Sequence, residues 1–115
     1  MKGAPAPHIA IDPAGARVRV MAGGEVLADS RDALALTEGA YPVVYYFPRK
    51  DVRMERLART EHRSFCPFKG HASYWSLEGG AKNAAWSYED PYDDMLAIRE
   101  RLAFYPDKVD SIEAR

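Results

Sequence analysis

A single cysteine, Cys66, excludes a disulfide within the chain and fits a reducing compartment. No run of apolar residues approaches the ~20 needed to span a bilayer as a helix. Residues 1–15 hold one lysine and no apolar stretch of signal-peptide length. Neither sign of charge is in excess: 16 Lys and Arg against 17 Asp and Glu leave a net charge of −1. That balance supplies no field to draw nucleic acid or an anionic membrane, so neither is expected as a partner. There is also no internal repeat and no low-complexity tract. Together these absences read as a soluble, cytoplasmic protein of bacterial type.

What is present suits a folded domain. Hydrophobic residues make up 47% of the 115, enough to place the chain with globular rather than disordered sequences. At this length one domain is expected, with roughly two-thirds of the unfolded surface buried. Residues 1–16, with Gly3, Pro5, Pro7, Pro13 and Gly15, read as an extended lead-in. Residues 17–115 read as a single β-rich domain.

Within that domain, Arg17–Met21 alternates polar and apolar, the period of a half-buried strand. Gly23-Gly24 can both take positive φ, which suits a two-residue hairpin turn before the return strand Glu25–Ala28. Ala33–Thr37 is short and bounded by turn signals, so it reads as strand. Val43–Phe47 is wholly β-branched or aromatic and gives the strongest strand signal. Met54, Leu57 and Ala58 fall at i, i+3, i+4, which predicts a short helix over 51–59 with Asp51 as its N-cap. His71–Leu77 and Lys82–Tyr88 read as a hairpin around Glu78-Gly79-Gly80. A short helix over 93–99 and a last strand over 102–105 complete a mainly β pattern of short strands, a sandwich, barrel or tent.

Reactive groups gather in Phe65-Cys66-Pro67-Phe68-Lys69-Gly70-His71-Ala72-Ser73-Tyr74-Trp75. Cys66 is either a nucleophilic or redox thiol, with Arg63 and Lys69 to stabilise the thiolate, or a small buried hydrophobe. Lys69 beside Gly70 is either an anion anchor helped by backbone amides or a solvated lysine at a bend. It is no Walker A lysine, because the upstream glycine is missing and His71 replaces the hydroxyl residue. His62, Cys66 and His71 have no zinc-site spacing, so no metal is expected. Arg53, Arg56 and Arg63 either share a phosphate-binding face or form a solvated one partly neutralised by Glu89, Asp90, Asp93 and Asp94. Tyr74 and Trp75 must point to opposite faces of their strand. Tyr46, Trp86 and Tyr88 either wall a pocket for a planar ligand or pack across strands. Glu38 has no evident local structural role, which raises its standing as a ligand anchor or general base.

Several of these segments together resemble one family. Ala28-Asp29-Ser30, Tyr41-Pro42, Tyr45-Tyr46-Phe47-Pro48, Cys66-Pro67-Phe68-Lys69-Gly70, Ala72-Ser73-Tyr74-Trp75 and Ala85-Trp86-Ser87-Tyr88 are similar to the family called domain of unknown function 427, over about residues 17–110. The resemblance implies a small β-tent fold of antiparallel hairpins, similar to methionine-R-sulfoxide reductases. Relatives of that fold often hold zinc on Cys-x-x-Cys pairs; this chain has none, so no structural zinc and no cofactor is expected. The family also carries a nucleotidyltransferase label, but the chain has no Asp-x-Asp pair and no glycine-serine phosphate loop.

The reading that follows is a domain that binds a small molecule or anion near the Cys-Pro-Phe-Lys-Gly turn. Glu38, Tyr46, Arg49, Asp51, Lys69, Tyr74 and Trp86 are its expected ligand contacts, with Cys66 as the candidate catalytic group. A thiol-dependent enzyme using Cys66 is one alternative. A non-catalytic interaction module or homodimer with a tyrosine-rich face is the other.

Overall fold

Ten antiparallel strands form three sheets in the computed structural model, which describes residues 1–115. One sheet has the order β1–β4–β5, from β1 (Ile9–Pro13), β4 (Leu34–Glu38) and β5 (Val44–Tyr46). A second has the order β10–β2–β3, from β10 (Ser111–Ala114), β2 (Val18–Ala22) and β3 (Glu25–Ser30). The third has the order β6–β7–β8–β9, from β6 (Leu57–Cys66), β7 (Gly70–Leu77), β8 (Ala85–Ser87) and β9 (Ala103–Phe104). The β2–β3 hairpin turns at Gly23 and Gly24, whose φ values of 58° and 76° are those of the expected two-residue turn. Within the N-terminal stretch, Ile9–Pro13 is a strand paired with β4, Ile11 opposite Leu36.

No helix longer than a 3-10 turn forms between 51 and 59. Short 3-10 turns occupy Arg49–Asp51 and Met54–Arg56, and Leu57 and Ala58 already belong to β6. The reason lies outside the segment. Val52 bridges Ala28 of β3, the Arg53 amide donates to the Leu27 carbonyl at 2.8 Å, and Leu57 pairs with Leu77. Those sheet bonds outweigh the modest helical preference of a two-turn segment. Asp51 accordingly caps no helix; its Oδ2 accepts a hydrogen bond from Ser30 Oγ at 2.6 Å. Asp93–Ile98 is likewise 3-10 in form, with a kink at Met95.

In the four-stranded sheet β7, β8 and β9 bury side chains on both faces, whereas the edge strand β6 is largely exposed. Register puts Trp75, Ala85 and Phe104 in one cross-strand row, and Tyr74, Trp86 and Ala103 in the next. The first row joins a core with Val18, Val20, Leu27 and Ala28 of the second sheet. The second row joins a separate core with Leu36 and Tyr46 of the first sheet. Since side chains alternate across a strand, β7 feeds both cores from adjacent residues. That places the reactive turn before β7 at the edge of the second, tyrosine-rich core.

Candidate functional site

The turn between β6 and β7 aims a lysine inward. The Lys69 amide donates to the Cys66 carbonyl at 3.2 Å, closing the turn, and Gly70 leaves it with φ of 111°. Only glycine adopts that conformation without strain. The Tyr92 amide donates to the Lys69 carbonyl at 3.0 Å and fixes the corner from outside. Lys69 is therefore no solvated lysine at a bend: its side chain is only 8% exposed, and Nζ donates to Glu38 Oε1 at 2.7 Å. Glu38 ends β4, so this ion pair joins two sheets. The other Glu38 oxygen lies 3.8 Å from His8 Nε2.

The pair lies at the wall of a cleft of about 520 Å³. Pockets for small molecules run to roughly 300–1,000 Å³ and are mostly apolar with few polar groups. Here Tyr46, Tyr74, Tyr88, Tyr105 and Trp86 supply an aromatic wall, and Tyr41–Val44 forms one rim. The rings are locked against each other. Trp86 meets Tyr46 edge-on at 6.3 Å and lies 4.4 Å from Tyr105, which stacks on Tyr74 at 6.4 Å. Trp86 Nε1 donates to the Tyr46 hydroxyl at 3.4 Å. The Tyr74 hydroxyl shares one hydrogen bond with Ser64 Oγ at 2.8 Å and another with the Tyr105 hydroxyl at 3.3 Å. Burial pushes the Tyr46, Tyr88 and Tyr105 phenols well above their ordinary range, because a phenolate is poorly solvated there. At Tyr105 the bond to Tyr74 adds to that shift. All three hydroxyls stay protonated in neutral solution and remain donors.

The structure thus brings Glu38, Tyr46, Lys69, Tyr74 and Trp86 to one cleft. Arg49, Asp51 and Cys66 do not line it. Cys66 is half-buried, with Sγ 3.8 Å from Lys69 Nζ. Asp51 lies with Ser30 and Lys50. Arg49 belongs to a cluster around the other tryptophan. Its guanidinium and that of Arg59 each lie 5.2 Å from the Trp75 ring. Glu89 accepts from Arg59 at 2.6 and 3.1 Å and from Arg49 at 3.3 Å. The Arg59 hydrogen bonds, with help from Ser73 and Arg49, bring the Glu89 carboxyl down to about 2. Both guanidiniums in this cluster are committed to partners in the chain, which suits a structural clasp over Trp75. Arg53, Arg56 and Arg63 share no helix face, since Arg56 closes a 3-10 turn and Arg63 lies on β6. His62 packs on Tyr74 and His71 against Phe65, and with Cys66 they form no converging ligand group.

Tyr105 and the Tyr41–Val44 rim are cleft residues that the sequence reading passed over. Tyr105 looked like the end of a last strand, and only the β8–β9 pairing carries it to Trp86. The sequence signal for the rim is Tyr41-Pro42-Val43, large residues flanking a proline; in the fold Tyr41 and Val43 are 75% and 41% exposed.

A family model described as a domain of unknown function (DUF427) matches residues 10–115. No curated protein matches the chain.

Proposed function

The chain belongs to the DUF427 family, a domain of unknown function, and from that premise we propose that it binds a small molecule in the cleft between β4, β5 and the β6–β9 sheet. The observation that carries this reading is the cleft itself: rigid aromatic walls, a buried Lys69–Glu38 pair and phenol donors surround about 520 Å³ of open space. A core serving stability alone would close over its aromatic rings at the packing density of protein interiors. The neutralised lysine argues against a simple anion site, because Glu38 already satisfies its charge at 2.7 Å.

The test is a fragment screen followed by NMR at the two tryptophan indole N–H signals. A saturable ligand should shift the Trp86 signal and leave Trp75, on the opposite face of the sheet, in place. A screen in which no compound moves Trp86 would overturn the reading.

A thiol-dependent reaction is the second reading, favoured by the 3.8 Å between Lys69 Nζ and Cys66 Sγ. The two readings separate at Cys66→Ser. The substitution abolishes turnover of a thiol enzyme, whereas a binding cleft that Cys66 does not line keeps its ligand.

A further inference from the structure

Resting on that cleft reading, we infer the class of molecule it selects: an uncharged compound with a carbonyl-type hydrogen-bond acceptor at one end and an elongated apolar body. Three independent features of the cleft converge on this class.

The first is the direction of the hydrogen bonds. An indole N–H only donates, so Trp86 fixes the Tyr46 oxygen as acceptor. The Tyr46 proton then has no acceptor within the chain, and Tyr46 lines the cleft. Tyr88 also lines the cleft, and its hydroxyl has no hydrogen-bond partner within the chain and is not fully enclosed. Two donors therefore await an acceptor. Both phenols carry their proton at neutral pH, as tyrosines ordinarily do, and so can donate.

The second feature is charge. Lys69 and Glu38 face the cleft as a pair of zero net charge. A carboxylate ligand gains Lys69 but meets Glu38, and an ammonium ligand meets the reverse. Either brings an unmatched charge into a partly desolvated space, which a neutral carbonyl avoids.

The third is shape. The cleft shares Val43, Val44, Trp86 and Pro106 with an adjoining apolar hollow of about 270 Å³ that reaches Phe104 and Ile112. A ligand anchored by its polar end at Tyr46 would lay its apolar body along Trp86 towards this hollow.

The experiment uses four probes with one tail: para-butylbenzamide, para-butylbenzoate, para-butylbenzylammonium and para-butyltoluene. Each is titrated into the full chain and read at the Trp86 indole N–H, with Trp75 as internal reference. The amide is expected to bind about tenfold tighter than either ion and than the hydrocarbon. In Tyr46→Phe the amide-over-hydrocarbon ratio should fall roughly five- to tenfold. Benzamide without the butyl group should bind more weakly than its butylated form. An ion that binds as tightly as the amide, or a preference for the amide unchanged in Tyr46→Phe, overturns the inference while leaving the cleft as a binding site. If none of the probes moves Trp86, the inference falls, and the cleft reading then stands or falls by the fragment screen.

Discussion

Lys69 is the one charged residue buried in the fold, and its partner Glu38 is only partly shielded. Removing one member of such a pair leaves the other desolvated without compensation, which costs more than the pair contributes. Lys69→Ala should therefore destabilise the protein by about 2 kcal/mol, less than for a fully buried pair because Glu38 keeps some water. The double variant Lys69→Met with Glu38→Gln should recover part of that loss. Urea denaturation of the three proteins measures both effects. The phenols make a second residue-scale prediction. In the unfolded chain a tyrosine ionises near ~10, whereas burial holds Tyr46, Tyr88 and Tyr105 above that in the fold. Their raised folded values contribute stability that is full below about pH 10 and is lost as pH rises further. Absorbance titration at alkaline pH should show these tyrosines ionising late, in step with unfolding. Their ionisation with the exposed Tyr41 would contradict the burial argument.

At the scale of elements, the β6–β7 hairpin sets the site, and Gly70 is its most sensitive joint. With φ of 111°, a side chain there is strained even though the nearest atom to a new Cβ, the Asp90 carbonyl oxygen, is 3.6 Å away. Gly70→Ala should cost about 1–3 kcal/mol through backbone strain alone. Because the same turn aims Lys69, the Trp86 indole signal should also shift. The hairpins were legible in the sequence because their signals are local: Gly23-Gly24 at one turn, Glu78-Gly79-Gly80 at another, and period-2 alternation between. The helix expected over 51–59 was not, because Met54, Leu57 and Ala58 mimic a helical stripe while long-range pairing decides their state. Leu57 opposite Leu77 and Arg53 bonded to Leu27 are contacts that no window of sequence contains. The same limit applies to the site. Glu38, Tyr46, Lys69, Tyr74 and Trp86 stood out by residue type and neighbourhood. Arg49 stood out equally, yet it lies over Trp75 instead of in the cleft. Residue chemistry marked the candidates, and the sheet register sorted them.

On the scale of the whole molecule, acid stability turns on the clasp around Trp75. Glu89 folds with its carboxyl near about 2, against an ordinary 4.5, chiefly through its hydrogen bonds to Arg59. A depressed folded value contributes stability that is present above the unfolded value and lost as pH falls through the folded one. The loss should fall between about pH 4.5 and 2. Glu89→Gln should lower stability near neutral pH by about 1–2 kcal/mol after allowance for partial solvent screening. It should also flatten the acid limb of the stability curve. Thermal denaturation of both proteins from neutral pH to pH ~2 checks the sign and the window. The strand rows of the four-stranded sheet have one more effect. Trp75 and Tyr74 are neighbours in the chain but belong to different cores, so β7 is the shared wall of both. Neither core can melt while the other keeps its wall. The protein should therefore unfold as one cooperative unit, with the emission of Trp75 and Trp86 changing at a single denaturant midpoint. Its most slowly exchanging backbone amides should then be those along β7, with opening energies that approach that of global unfolding.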